Sequence, residues 1–135
     1  MKQFLDTSIL VESCLSESPN FAAADVLVNS REVFTSVHAL AEAYATLSGD
    51  PRLRVHPADA AQMVEDLANR VAVHGLSVKE YRRLISSAPA SGIRGGTIYD
   101  ALHAQVARQC GCTRIRTLNL PHFKHVAPDL AVLGV

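Results

Sequence analysis

Three acidic residues stand in surroundings where a carboxylate needs a partner. Asp6 lies in the segment FLDTSIL, between apolar residues and close to the start of the sequence. Glu42 lies in ALAEAYA, and Asp100 follows the glycine pair in GGTIYD. Neither Glu42 nor Asp100 has a Lys or Arg three or four residues away, so neither is expected to have a charged partner in its own helix. Because an unpaired charge beside a core is costly, each acid should be paired, hydrated or bound to a metal.

Each acid also has an ordinary structural explanation. Asp6 could cap the turn after a strand, and Glu42 and Asp100 could each stabilise a helix N-terminus by roughly 0.3–1 kcal/mol. Together, however, they form the hard oxygen donor set that Mg²⁺ or Mn²⁺ prefers. Three carboxylates about 5 Å apart would repel one another by roughly 3 kcal/mol per pair at an effective dielectric near 20, and a divalent cation would relieve that repulsion.

The elements that must position these acids alternate along the sequence. Predicted strands cover residues 2–5, 33–35, 71–73, 113–118 and 130–133; predicted helices cover residues 19–29, 36–47, 57–67, 77–87 and 97–109. Ser36 can cap the second helix, Ser77 and Glu80 have capping-box spacing, and Gly111 should end the last helix. The apolar face expected for the helix over 36–47 consists of Val37, Leu40, Ala41, Tyr44 and Leu47. Strands separated by helices, without hairpin signals, predict an α/β fold in which helices flank a central parallel sheet as three α/β/α layers. We expect one domain over residues 1–135.

The predicted sheet also indicates where a ligand would bind. Ligands of open parallel sheets lie beyond the carboxyl ends of the strands, and Asp6 and Asn119 each follow a predicted strand. Thr7, Ser8 and Thr117 are candidates for holding the carboxylates in place through hydrogen bonds. A helix cap is the simpler explanation for Ser8, and His103 is expected to be a solvated surface histidine.

Four segments resemble the PIN-domain nucleases, and most closely the VapC-type toxins of bacterial toxin–antitoxin pairs. They are FLDTSILVE with Asp6, VHALAEAYATLSG with Glu42, GGTIYDALHAQVARQCGCTRIRTLN with Asp100, and LNLPHF at the end. The resemblance covers nearly the whole sequence, in order and at suitable spacing.

The resemblance implies a PIN-like fold and cleavage of RNA that depends on Mg²⁺ or Mn²⁺. It implies that Asp6, Glu42 and Asp100 hold the metal, and that the partners are RNA, a cognate antitoxin and a second copy of the chain. Many family members carry a fourth acid where this sequence has Asn119. The amide oxygen of Asn119 can still coordinate a metal or orient a water, but it brings no charge.

Composition limits the remaining possibilities. Basic and acidic residues number 13 each, so net charge does not identify a partner. Arginines such as Arg52, Arg94 and Arg116 are candidate phosphate contacts. No stretch of 18 apolar residues and no leader-like segment occurs, so we expect a cytoplasmic protein without a membrane segment. The three cysteines are expected to be reduced and structural.

Other classes fit less well. A haloacid-dehalogenase-type phosphatase needs a second Asp two residues after the first, where Ser8 stands, and a receiver domain needs a lysine at the end of a late strand. The main alternative is a PIN-like module that has lost catalysis with the fourth acid and binds RNA or a partner protein without cleavage.

Overall fold

The computed structural model describes all 135 residues and contains one parallel sheet of five strands in the order β3-β2-β1-β4-β5. The strands are β1 (Gln3–Leu5), β2 (Val33–Ser36), β3 (Ala72–His74), β4 (Arg114–Arg116) and β5 (Ala131–Leu133). β1 is central: Gln3 is in register with Val33 of β2 on one side and with Arg114 of β4 on the other. The strand order reverses at β1, so a ligand crevice is expected beside its carboxyl end.

Seven α-helices connect and cover the strands. They are α1 (Thr7–Glu12), α2 (Phe21–Val28), α3 (Val37–Gly49), α4 (Pro57–Arg70), α5 (Val78–Ser87), α6 (Thr97–Gln109) and α7 (Leu120–Val126). A short 3₁₀ turn, Pro89–Ser91, lies between α5 and α6. None of these helices combines the length and the apolar composition needed to cross a bilayer.

The sheet separates two hydrophobic clusters, as a three-layer α/β/α fold requires. One cluster contains Leu5 with buried residues of α1 to α4, including Leu10 and Leu67. The other contains Phe4 with buried residues of α6 and α7, including Leu102 and Phe123. Consecutive side chains of a strand point to opposite faces, so the adjacent residues Phe4 and Leu5 join β1 to both clusters. The predicted fold class is confirmed.

Several local predictions are confirmed. Each concerns a helix end, which is determined by hydrogen bonds between residues close in sequence. The bounds of α6 are those predicted, and Gly111 follows it with a φ of 75° that suits glycine. Ser36 caps α3 by accepting a hydrogen bond from the backbone N–H of Ala39. Ser77 and Glu80 form both bonds of the capping box that begins α5.

Other local predictions need correction. The strand predicted over 113–118 is limited to Arg114–Arg116, and the helix predicted over 19–29 begins at Phe21. Helices α1 and α7 and the 3₁₀ turn were not predicted. The apolar face predicted for α3 is also wrong in part: Val37 is 55% exposed, and the small residues Ala39 and Ala43 are buried. Close packing between α3 and α1 favours small side chains there.

The cysteines form no disulfide, as predicted. Cys112 is buried, Cys14 and Cys110 are partly buried, and all three thiols are free. Burial raises the pKa of Cys112 to about 12, which is typical of an unreactive structural thiol.

Candidate functional site

A cavity of about 350 Å³ lies at the carboxyl edge of the sheet, and we call it the carboxylate cleft. Asp6 reaches it from the end of β1, Glu42 from the second turn of α3, and Asp100 from the first turn of α6. Thr7, Ser8 and Asn119 line the same cleft. Residues predicted from four separate parts of the sequence therefore meet here, while Thr117 lies behind them and contacts Asp6.

Asp6 is the most buried of the three acids, with 4% of its surface exposed. Its Oδ1 accepts hydrogen bonds from Ser8 Oγ at 2.5 Å and from the backbone N–H of Ile9 at 3.3 Å. Its Oδ2 accepts one from Thr117 Oγ1 at 2.6 Å. Burial raises the pKa of Asp6 even though these hydrogen bonds act in the opposite direction. Asp6 thus caps α1, as its structural explanation predicted, and lines the cleft as well.

The hydroxyl partners of Asp6 also hold the chain after β4. Ser8 Oγ accepts a hydrogen bond from the backbone N–H of Leu118 at 2.9 Å, and Thr117 Oγ1 accepts one from that of Asn119 at 2.9 Å. The helix-cap explanation for Ser8 is therefore wrong, because Asp6 is the cap and Ser8 joins Asp6 to the segment before α7. These bonds fix where Asn119, itself exposed, enters the cleft.

Glu42 is half-buried and is not without partners. Its Oε1 accepts hydrogen bonds from Thr7 Oγ1 at 3.0 Å and from His103 Nε2 at 2.5 Å. His38, one turn earlier in α3, has its Nε2 4.0 Å from the same oxygen. The expectation of an unpaired acid overlooked this histidine. Burial alone would raise the pKa of Glu42, but the hydrogen bonds from His103 and Thr7 lower it below its usual value.

His103 is buried, with 3% of its surface exposed, and not a solvated surface residue as predicted. Its Nδ1 lies 2.7 Å from Ser36 Oγ and its Nε2 lies 2.5 Å from Glu42 Oε1. Because Ser36 Oγ already accepts the N–H of Ala39, its own proton is free to donate to Nδ1, which leaves the Nε2 proton for Glu42. The signal available in the sequence was its position between Leu102 and Ala104, in the apolar stretch of α6.

Asp100 lines the carboxylate cleft and is partly buried, with 25% of its side chain exposed against 34% for Glu42. Burial raises its pKa, and the charges of Glu42 and Asp6 add to that effect, while His122 and His103 act against it. The Nδ1 of His122, in α7, lies 4.0 Å from Asp100 Oδ2. Burial is the main cause of this rise in pKa; the nearby carboxylates add to it, and their contribution is the part that a shared cation would offset.

The family follows from comparison with known proteins. A model of the PIN domain matches residues 4–127, which includes all of the residues that line the carboxylate cleft. The chain belongs to the PIN domain family. Over 107 residues it is 32% identical to the ribonuclease VapC27 of Mycobacterium tuberculosis, a match that covers 78% of this chain and 76% of that protein.

Solved structures agree with this PIN fold. The VapC20 toxin of Mycobacterium tuberculosis, described as cleaving the sarcin–ricin loop, superposes with a TM-score of 0.66 and 23% identity, over 84% of this chain and 87% of its own. A chain of the VapBC2 complex of Rickettsia felis, bound to a DNA fragment of its promoter, superposes with a TM-score of 0.69 and 20% identity. That match covers 100% of this chain and 99% of the Rickettsia chain. At these identities the comparison establishes the fold.

The carboxylates of this PIN domain are the type of ligand that a hard divalent ion prefers, but they do not form a complete coordination shell. The acids that line the cleft bring only oxygen, as Mg²⁺ and Mn²⁺ prefer. In this arrangement no group of three or more acidic, histidine or cysteine side chains is placed to hold one ion. Asp6 and Glu42 accept hydrogen bonds from the protein. Three carboxylates acting at once as direct ligands, as the sequence predicted, are thus not found in this arrangement.

Two of the arginines predicted to contact phosphate instead bond to groups of the protein itself. Arg52 forms an ion pair with Asp50, at 2.8 Å between Nη2 and Oδ2. Arg116 donates to the side chain of Gln3 and to the backbone oxygen of Gly134. No lysine or arginine lines the carboxylate cleft.

Proposed function

We propose that this PIN-domain protein is an endoribonuclease toxin that hydrolyses RNA phosphodiester bonds with Mg²⁺ or Mn²⁺. The observation that carries the proposal is that Asp6, Glu42 and Asp100, from three separate elements, line one cleft at the switch point of the sheet. The name of the relative VapC27, a ribonuclease, supports the reaction type.

The contacts in the cleft support a role for each residue. Mg²⁺ in proteins usually keeps several waters and takes one or two carboxylates directly, so Asp6 and Asp100 are proposed as direct ligands and Glu42 as a ligand through water or after a side-chain rotation. Asn119, without charge, would be a weaker ligand or would orient a water. Thr7, Ser8 and Thr117 hold the carboxylates by the hydrogen bonds described above.

In the proposed reaction the metal ion and the protein side chains have different tasks. A bound divalent ion supplies Lewis-acid chemistry, in that it acidifies water and stabilises charge on phosphate oxygens. The chain holds Glu42 at a fixed orientation through Thr7 and His103. The hydrogen bonds from Ser8 and Thr117 fix the orientation of the Asp6 carboxylate, and Oδ2, which accepts only the bond from Thr117, retains a lone pair for an ion.

A second candidate is a PIN module that binds RNA or a protein without cleavage. It is favoured by the lack of three converging metal-binding side chains and by Asn119 in place of an acid. The two candidates differ in one measurable property, because a binding module leaves RNA intact at every metal concentration.

A single-turnover cleavage assay across a titration of Mg²⁺ and of Mn²⁺ tests the proposal. We expect wild-type protein to cleave only with metal, and Asp100→Asn to reduce the rate at least about a hundredfold, more than the loss of a supporting residue typically costs. Asp59→Asn, an exposed acid in the first turn of α4, is the matched control and should cleave normally. Intact RNA with wild-type protein at all metal concentrations would favour the binding module.

We further propose that the chain acts as one domain in the cytoplasm, as a homodimer, and that a cognate antitoxin neutralises it. The VapBC2 name of the Rickettsia felis complex supports an antitoxin partner. Light scattering after gel filtration would measure the oligomeric state, and an equimolar antitoxin should abolish cleavage.

A further inference from the structure

A second cavity, of about 590 Å³, adjoins the carboxylate cleft, and we call it the histidine cavity. Asp100 lines both and forms the wall between them. The other residues that line the histidine cavity are Gly96, Thr97, Pro121, His122 and His125, so none of its walls is formed by a large apolar side chain. A ligand that spans both cavities would pass over Asp100 and meet polar groups on each side.

Helix α7 presents the hydrogen-bond donors of this cavity. His122 and His125 are three residues apart, so both imidazoles lie on the same side of the helix. Phe123 and Val126, on the adjacent face of the helix, are buried and hold α7 against the core. The helix contains Lys124 and no acidic residue. The position of the two imidazoles is therefore determined by core packing and not by a loose loop.

The two cavities have opposite character. The carboxylate cleft is lined by Asp6, Glu12, Glu42 and Asp100 and has no lysine or arginine to hold a phosphate. The histidine cavity has two imidazoles, each of which donates a hydrogen bond in either protonation state. These imidazoles border the carboxylate cleft, since His122 Nδ1 lies 4.0 Å from Asp100 Oδ2, and they offer N–H donors to a phosphate next to the cleft.

We propose that His122 and His125 bind a backbone phosphate of RNA that neighbours the phosphate held at the carboxylate cleft. The inference rests on the proposed function, because it takes RNA as the ligand of the cleft. A phosphate contact of this kind positions the RNA without reading its sequence, so its loss should weaken all RNA sequences alike. It also gives the scissile strand a direction across Asp100.

Equilibrium binding of RNA, separated from cleavage, tests the inference. Two fluorescein-labelled RNA oligonucleotides of unrelated sequence are titrated with protein that carries Asp6→Asn, in EDTA, and anisotropy is measured. We expect His122→Ala and His125→Ala each to weaken binding about three- to tenfold for both oligonucleotides, the size of one or two lost hydrogen bonds. The control is His74→Ala, which should bind RNA as the parent protein does. His74 is an exposed residue of β3, and β3 is the edge strand two positions away from β1.

A second measurement tests whether these histidines act on RNA through the metal ion. Mn²⁺ binding to His125→Ala, otherwise wild type, is measured by calorimetry and should change less than about twofold, because His125 is not proposed to hold the ion and is not among the groups that shift the pKa of Asp100. Unchanged RNA affinity in both histidine variants would overturn the inference, even if wild-type protein cleaves RNA. Loss of RNA affinity without any wild-type cleavage would support the inference and contradict the proposed nuclease.

Discussion

Asp6 combines two demands at one residue. It is buried and it accepts three hydrogen bonds, yet its pKa is raised, because the cost of burying the charge exceeds what those bonds return. A group whose folded pKa lies above its unfolded value contributes stability below the unfolded value and loses it as pH rises through the folded value. At neutral pH the charge of Asp6 therefore lowers the free energy of unfolding of the metal-free protein.

Replacing Asp6 with Asn should reveal that cost. The amide retains an oxygen to cap α1 but carries no charge, so we expect the metal-free variant to melt at or a few degrees above wild type at pH 7. The difference should vanish below about pH 4, where the wild-type carboxyl is itself protonated in both states. Thermal unfolding by circular dichroism in EDTA, from pH 3.5 to pH 8, measures both effects.

The control variant for that experiment should be less stable than wild type, not more stable. Asp59→Asn removes an exposed charge from the first turn of α4 and should lower the free energy of unfolding by about 0.3–1 kcal/mol. Marked destabilisation by Asp6→Asn would mean that capping of α1 is the main role of the carboxylate.

At the scale of elements, His103 joins the two helices that carry Glu42 and Asp100. It lies in α6, one turn after Asp100, and it contacts both Ser36, the cap of α3, and Glu42, within α3. Phe4 and Phe123 lie on its other sides, with ring centroids at 5.9 and 6.4 Å. The imidazole thereby sets the relative position of two acids that are 58 residues apart in sequence, from Glu42 to Asp100.

Removal of this imidazole should destabilise the protein and loosen Glu42. We expect His103→Ala to lower the free energy of unfolding by about 2–4 kcal/mol, because it leaves a cavity and takes a partner from the buried hydroxyl of Ser36. His38→Ala, the other histidine near Glu42, is partly exposed and should cost less than about 1 kcal/mol. Urea unfolding monitored by circular dichroism compares the two, and equal losses would contradict a special role for His103.

At the scale of the whole molecule, β1 contributes a buried residue to each of the two hydrophobic clusters. Phe4 and Leu5 are each fully buried, on opposite faces of the sheet. The two clusters should therefore unfold together, in one transition, even though the sheet lies between them.

Truncation on either side of β1 tests that coupling. Phe4→Ala and Leu5→Ala should each lower the free energy of unfolding by about 2–5 kcal/mol and leave a single transition. Val132→Ala, in the edge strand β5 and only partly buried, should cost less. Two separate transitions in either β1 variant, by circular dichroism and tyrosine fluorescence, would show that the two layers fold independently.

The sequence by itself determined the alternation of strands and helices, the bounds of α6, the caps at Ser36 and Ser77, and the three acids of the cleft. These depend on hydrogen bonds and apolar periodicity within a few residues, which can be read locally. Helices α1 and α7 were missed because segments of six or seven residues show little periodicity and are held by tertiary contacts such as those of Asp6 and Thr117.

Only the tertiary structure decided which side chains meet. The burial of His103, its bond to Ser36 across 67 residues, and the hydrogen bonds that occupy Asp6 and Glu42 all depend on the order of the strands. The same holds for the histidine cavity, which exists because α7 packs beside the start of α6. Contacts between residues this far apart follow from how the layers pack, and that packing minimises the free energy of the whole chain and not of any one segment.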